Sequence, residues 1–574
     1  VSAAMTYIFS YTLFVGFYQS FFINPMYTFP LLILGVDLIY ENKKPYLYIF
    51  TLAFVLLNYF YFAYMMAIMV VGYCILKLCF SKQIEKTVKF IGLLVLRFIG
   101  YSVVSAGLAA VALFPVLLQL SKAGRLSLSH YVPALYDKGY YSGMLAGMVT
   151  GYDMLGRDCK MGYSVLTLLC VFILFINKKK HTQQKIEFVL MLIALGIPYV
   201  GHVMNGFSYP VSRWIFGFAL VLSYIVAIVL PEITEFTRNQ AIGCFCITVV
   251  YILACRVLYG INNEKFEIAS VAMIALSILL MEIKRFDISK IKTGIIVVSC
   301  ISSMIISSFC LSEYYDNMIG GFVTSGKAYD ISTNYGGLPL INYVKKSDSE
   351  RYDRNGLTYV RNASWLYGTS GMDFYISIYN DNIDKFHNEV SLRTDPYSYC
   401  YEGLNERSEL EALLGVNHYF VNEGSSEKPY GYDTLEYTTE THDADENYYN
   451  ISSYTSDRNN SLFYLFDKSI SSEEFEKLDV IERQQALLQG VVVERDANSK
   501  VKDLELDDDS VDFVVSGCDG LSYDAESGMI TVNNAGAVMY LTYSDLSNSE
   551  LYLYFDNIDY EHDDDSAYNK LSGI

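Results

Sequence analysis

The densest cluster of hydrogen-bonding and ionisable groups inside an apolar stretch is His202-Val-Met-Asn205-Gly-Phe-Ser-Tyr209-Pro-Val-Ser-Arg213-Trp214. Asn205-Gly206 and Pro210 bend the backbone between two apolar runs, so His202, Asn205, Tyr209 and Arg213 gather at the level of lipid headgroups. An arginine there grips a phosphate through its planar fork of N–H donors. The plainer alternative is an Arg213 that snorkels to the interface, with Tyr209 and Trp214 as belt aromatics. A second candidate is the stretch 121–160, which carries Arg125, His130, Asp137, Asp153, Arg157 and Asp158, with Gly139, Gly143, Gly147, Gly151 and Gly156 for tight backbone paths. It is longer than a simple connection requires. Asp153 or Asp158 suits a general base or metal ligand there, with Arg157 as phosphate partner; a solvated Arg157–Asp158 pair is the alternative.

The elements that must position these groups are read from apolar length. Hydrocarbon about 30 Å thick needs roughly 20 apolar residues in helix. Runs that meet or approach this are Val1–Tyr18, Phe21–Ile39, Tyr46–Leu57, Phe60–Phe80, Phe90–Leu120, Met161–Ile176, Ile186–Met204, Val211–Leu230, Ile242–Tyr259, Phe266–Ile283 and Gly294–Leu311. The expectation is an α-helical polytopic membrane domain of about eleven spans, over residues 1–312. Basic residues support one orientation. Lys43-Lys44, Lys77 to Lys89, Lys178-Lys179-Lys180, Arg238 and Lys284 to Lys292 alternate with short turns that are nearly free of them. Cytoplasmic loops carry such excess. The 202–214 turn and everything beyond Ser312 then face outward. Arg97 and Arg256 lie within spans and are read as paired to neighbouring helices or snorkelling.

Charge divides the chain at the same point. Residues 1–312 hold 24 Lys+Arg against 13 Asp+Glu, whereas 313–574 hold 18 against 49. The second half therefore reads as an acidic extracytoplasmic α+β region, 313–500, followed by a small β domain, 501–574, of sandwich type. In the first part Glu473–Gln489 has helical spacing, Leu410–Leu414 runs through a Gly turn into a strand at Asn417–Val421, and the polar, acidic Thr434–Asn460 reads as an exposed loop. In the second, Val511–Val515, Gly528–Val532, Ala537–Tyr543 and Leu551–Phe555 alternate as strands do. The start at Val1 within an apolar run and the stop at Ile574 read as a fragment with a truncated C-terminal domain.

Several classes are disfavoured. No Walker loop, GxGxxG after a strand, HExxH or GxSxG elbow occurs. Eight of the eleven cysteines fall in apolar runs, where they behave as small hydrophobes, and the sparse remainder gives no disulfide framework. The clusters Asp507-Asp508-Asp509 and Asp563-Asp564-Asp565 lack the EF-hand pattern. Nothing points to nucleic acid.

Several pieces, in order, resemble one family. They are Phe22-Ile-Asn24-Pro25 leading into Leu31-Leu-Ile-Leu-Gly35, Asn58-Tyr-Phe-Tyr-Phe62 with Tyr64-Met65, Asn205 to Trp214, Leu413-Leu-Gly-Val-Asn-His-Tyr419, and Glu482-Arg-Gln-Gln-Ala-Leu-Leu488. The chain resembles the bacterial YfhO membrane proteins, which look like GT-C glycosyltransferases that use lipid-linked sugars. Asn417-His418 stands where the family pattern leads one to expect a lysine. The resemblance implies an undecaprenyl-phosphate sugar as donor and a cell-envelope polymer such as a teichoic acid as acceptor. It also implies the bacterial cell membrane as location, and partner membrane proteins that make and flip the donor. The general base it implies is an acidic residue in the first outer loop, which would precede Val1. Chemistry adds that a departing phosphate needs its charge neutralised, by Arg213 or by a divalent metal ion, for which no ligand set is assigned. The 51 tyrosines suit sugar stacking. A transporter or flippase of lipid-linked sugars, or a non-catalytic envelope assembly protein, stands as the alternative.

Overall fold

A computed structural model describes residues 1–10, 20–81, 87–121, 132–153, 160–177, 180–261, 263–283, 288–314, 325–344, 350–354, 362–376, 380–392, 394–395, 400–423, 428–443, 446–458, 463–494, 502–506, 511–534, 536–544 and 550–553. The chain separates into two compact units, Val1–Phe322 and Val323–Ile574.

Backbone polar groups in hydrocarbon must be satisfied within their own segment, so apolar runs become helices. In the first unit these are α1 (Ser2–Ile8), α2 (Ile23–Tyr40), α3 (Tyr46–Asn58), α4 (Phe60–Phe80), α5 (Val88–Ser121), α6 (Lys138–Thr150), α7 (Val165–Ile176), α8 (Thr182–Gly196), α9 (Pro198–Met204), α10 (Phe216–Val229), α11 (Arg238–Tyr259), α12 (Glu264–Met281) and α13 (Ile288–Tyr314), with the short pair β1 (Tyr152–Asp153) and β2 (Lys160–Met161). Each apolar run of the sequence thus carries helix. Among the described residues, however, only five helices are long and apolar enough to cross a membrane, six if the bent pair α8–α9 counts as one. The expected eleven is not reached by that measure, because several runs fold into helices shorter than a bilayer, such as α3 and α7.

Local chemistry sets the breaks. Asp137 caps α6 by accepting from the Tyr140 N–H at 2.8 Å. Thr237 and Gln240 form a capping box at the start of α11, and Gly260 ends it in the left-handed region. Gly35 lets α2 and α3 touch, since a Cβ there would stand 2.8 Å from the backbone of Tyr48. A large apolar core runs through the unit and includes Phe62, Trp214, Phe216, Phe218 and Phe266. Charges are matched within it. Lys77 pairs with Asp37, to which the Tyr73 hydroxyl also donates at 2.7 Å. Glu232 takes Lys180 and His181, both at 3.1 Å. Arg97 donates to Asn42 at 2.9 Å and Arg256 pairs with Glu267, so neither arginine is an isolated charge.

The second unit contains α14 (Ser325–Thr333), α15 (Leu338–Val344), β3 (Arg351–Arg354), α16 (Ala363–Tyr367), β4 (Ser370–Gly371), β5 (Asp373–Tyr375), α17 (Asp381–Glu389), β6 (Thr394–Asp395), β7 (Cys400–Glu402), α18 (Ser408–Leu413), β8 (Val416–Asn422), β9 (Thr434–His442), β10 (Tyr448–Thr455), β11 (Lys468–Ser471), α19 (Ser472–Phe475), α20 (Val480–Gln489), β12 (Val491–Val493), β13 (Lys502–Asp503), β14 (Phe513–Asp519), β15 (Leu521–Asp524), β16 (Met529–Val532) and β17 (Val538–Tyr543). Its centre is a five-stranded mixed sheet in the order β4-β3-β8-β10-β9. Asp353 stands opposite Tyr419 and Tyr352 opposite His418, so each pair takes one face of the sheet. Tyr352 and Phe420 pack with Leu340 and Ile341 of α15 on one face; Tyr419, Val421 and Tyr432 pack on the other.

Four expectations are corrected here. The stretch 434–460 is not a loop but holds the edge strand β9 and its neighbour β10, because Thr, Tyr and Ile fit a pleated surface despite interleaved acids. Glu473–Gln489 is not one helix, since Asp479 forms a capping box with Glu482 and starts α20 afresh. At the C-terminal end β14 pairs with β17 and β15 with β16; these two-stranded pairs are not a demonstrated sandwich. Leu551–Leu553 is not strand.

Candidate functional site

The site is built around the break between α9 and α10. Helices α8 and α9 meet at Pro198 with a bend of 93°, as expected where proline removes an N–H from the ladder. After α9 the chain reverses through Gly206 and Phe207, both at positive φ. Gly201 lets α9 lie close on the returning chain, because a Cβ there would sit 3.1 Å from the backbone of Val211.

This reversal places four sequence-identified residues together. Asn205 is buried; its side-chain oxygen accepts from the Tyr61 hydroxyl at 2.6 Å and its amide donates to the Tyr209 carbonyl at 2.8 Å. Arg213 donates to the same Tyr61 hydroxyl at 3.2 Å and lies 5.8 Å from the ring centres of both Phe22 and Tyr61. His202 joins through its Nδ1, which hydrogen-bonds the Ser208 carbonyl. The result is a guanidinium held by a hydroxyl and two aromatic faces, a fixed positive group of the kind that suits an anionic oxygen.

Trp214 does not act as a belt aromatic. It is 1% exposed and packs in the helical core, which holds the start of α10 and therefore the base of Arg213. Sequence reading also missed two members of the site. Tyr61 and Phe22 belong to the aromatic pieces that carried the resemblance, but nothing local marks them; only packing brings Tyr61 to Asn205 across 144 residues. Tyr64 reinforces the turn by donating to the Val203 carbonyl at 2.9 Å.

The side chains of the other proposed residues fall outside what the structure describes. Arg157 and Asp158 lie outside the described residues, as does the side chain of Asp153, whose backbone pairs with Lys160 in β1–β2. Among the described residues no group of three or more His, Cys, Asp or Glu is placed to hold a metal ion.

The motif residues of the second unit are structural. Arg483 donates to the carbonyls of Phe475, Glu476 and Glu389, while Gln484 accepts from Arg407 at 2.6 Å. His418 is buried, with Nε2 2.8 Å from Glu350 and Nδ1 3.1 Å from Glu436. Nδ1 also lies 3.1 Å from the Ser453 hydroxyl, so both ring nitrogens are engaged within the sheet.

Apolar helices broken at a polar turn, joined in sequence to an acidic, strand-rich unit, define a polytopic membrane protein. The family described as "Bacterial membrane protein YfhO" matches residues 1–571, and the chain belongs to it. It is 24% identical over 515 residues to the uncharacterized protein YfhO of Bacillus subtilis (strain 168), covering 84% of this chain and 54% of that relative. The chain therefore spans about half the length of the curated relative it matches. No solved structure matches it.

Proposed function

We propose that the chain is part of a membrane glycosyltransferase of GT-C architecture, moving a sugar from undecaprenyl phosphate to a cell-envelope polymer such as a teichoic acid. The reaction takes place on the outer face of a bacterial cell membrane, and residues 313–574 lie on that side. The observation that carries this reading is Arg213, fixed by Tyr61, Asn205 and Phe22 at a break in an apolar helix. Irregular backbone at membrane depth is tolerated where it lines a polar cavity, and a lipid-borne phosphate can be met only there.

In the transfer, an acceptor hydroxyl oxygen bonds to the anomeric carbon while the bond from that carbon to the phosphate oxygen breaks. The hydroxyl proton passes to a carboxylate base, for which Asp153 and Asp158 are the candidates of this chain. The polyprenyl phosphate leaves with an added negative charge, and Arg213 stabilises it most where that charge develops. His202, Asn205 and Tyr209 hold the turn that carries the guanidinium.

A flippase of lipid-linked sugars is the second reading, favoured by the bent pair α8–α9. Transporters place such broken helices in corresponding positions of two repeats, and the described residues show one bent pair. The experiment is sugar transfer from a polyprenyl-phosphate sugar by the full-length protein in vesicles, wild type against Arg213→Ala. Transfer lost in the variant supports the assignment, and unchanged transfer removes Arg213 from it. Movement of lipid-linked sugar across the bilayer without any transfer establishes the flippase instead.

A further inference from the structure

A different feature of the second unit has no part in that chemistry. Asp353 of β3 and Glu411 of α18 are 1% and 0% exposed, and their carboxyl groups lie in hydrogen-bonding contact. Asp353 is supplied with donors: its Oδ2 accepts from the Leu404 N–H and its Oδ1 from the Arg354 N–H, both at 2.8 Å. Gly403 makes room for it, since a Cβ there would fall 2.4 Å from Oδ1. Glu411 has no such supply, and neither of its oxygens finds a donor among the described groups. Two carboxylates have only acceptors, so a contact between them needs a proton.

The surroundings offer no cation to replace that proton. Tyr419 of β8 and the Tyr432 turn face the pair across the sheet, and Glu406, Glu550 and the Asp373 carboxylate of β5 add negative charge nearby. Arg354 donates to Asp373 at 2.7 Å, and Arg407 to Gln484 and the Val390 carbonyl. His418 stands on the opposite face of the sheet. No lysine or arginine pairs with either carboxyl among the described residues. Burial raises both acids, Asp353 to about 6 and Glu411 well above the usual carboxylate range.

We propose that Asp353 and Glu411 share one proton and form an acid-dependent latch that holds α18 on the central sheet. α18 is a useful place for such a latch. Its first N–H, from Ser408, donates to Glu550 at 3.2 Å, and the same carboxylate accepts from Tyr430 at 3.0 Å. Loosening α18 therefore also loosens the chain around Glu550.

The sign follows from the direction of the shifts. A carboxyl whose folded pKa is raised stabilises the fold below its unfolded value and loses that contribution as pH rises through the folded value. The latch is closed in mild acid and weakens toward alkaline pH, opposite to a carboxylate held by an arginine.

The test uses the whole chain in lipid nanodiscs. Hydrogen exchange of peptides spanning 400–423, corrected for intrinsic rate, is followed from about pH 5 to about pH 8. One-proton linkage limits the loss of protection to about tenfold per pH unit. Glu411→Gln, which places a permanent amide donor against Asp353, removes the pH step, and Asp353→Asn provides the same test should that variant fold poorly. Infrared spectra at neutral pH show a buried protonated-carboxyl band in wild type that is lost in Glu411→Gln. A wild type without that band, or a pH step that persists in both variants, overturns the proposal.

Discussion

The two units differ in how the charges described above are partnered. In the helical unit each charged group described above has a partner of opposite or compatible chemistry: Asp37 with Lys77, Glu232 with Lys180 and His181, Arg256 with Glu267, and Arg213 with a hydroxyl and two rings. In the acidic unit one buried carboxylate, Asp373, has an arginine, whereas the Asp353–Glu411 pair has neither Lys nor Arg. The difference teaches where each unit can change state. A cation poised among aromatics is a ready receptor for an anion, and an acid pair without a cation is a receptor for a proton.

The comparison breaks first at Arg354, whose guanidinium and Asp373 are 7% and 6% exposed. Arg354→Leu leaves Asp373 buried without its partner and costs about 3–5 kcal/mol of stability in the second unit. Thermal unfolding of the whole chain, read by protease cleavage within 363–423, measures it; a midpoint that does not move would show that the ion pair contributes little. Next is the acid pair. The Asp353 carboxyl, raised from 3.8 to about 6, has a linkage limit of about 3 kcal/mol, of which acidification from about pH 7.5 to about pH 5 brings about 1.4 kcal/mol to the second unit and the rest comes only as pH falls toward 3.8. Exposed Asp433 and Glu446, lowered by their lysine partners, act in the other direction and lose their contribution only at lower pH. Stability should therefore peak in mild acid, and a steady fall from neutral pH downward contradicts the contrast drawn between the units.

The helical unit supplies the smaller effects. Arg213→Ala lowers sugar transfer about a hundredfold, or about 2.7 kcal/mol of transition-state stabilisation, with Arg213→Lys recovering part of it. Tyr61→Phe removes the hydroxyl that Arg213 and Asn205 share, and lowers transfer about tenfold without altering expression. Steady-state kinetics should place both losses mainly on kcat, and a change confined to KM would contradict a transition-state role for Arg213. Arg256→Ala, which breaks a partly exposed pair, changes stability by less than about 0.5 kcal/mol.

Much of this architecture was legible because it depends on local composition. The order of apolar runs, the division near residue 312, the helix–turn–strand from Ser408 to Asn422 and the cluster from His202 to Arg213 are each carried by contiguous residues. Misreadings arose where a neighbour decides. The acids between 434 and 460 suggest a loop until β8 supplies an edge for β10 to pair with. Trp214 suggests an interface until the helices close around it.

Sequence by itself determined that this is a membrane protein with an acidic second half, because hydropathy and charge act residue by residue and need no partner. Tertiary structure alone decided that Tyr61 and Phe22 complete the Arg213 site, and that Asp353 meets Glu411. Those meetings join residues dozens to well over a hundred positions apart, and no periodicity records them. The physical reason is that burial and contact set the energy of a charge, and both belong to the packed chain rather than to the residue.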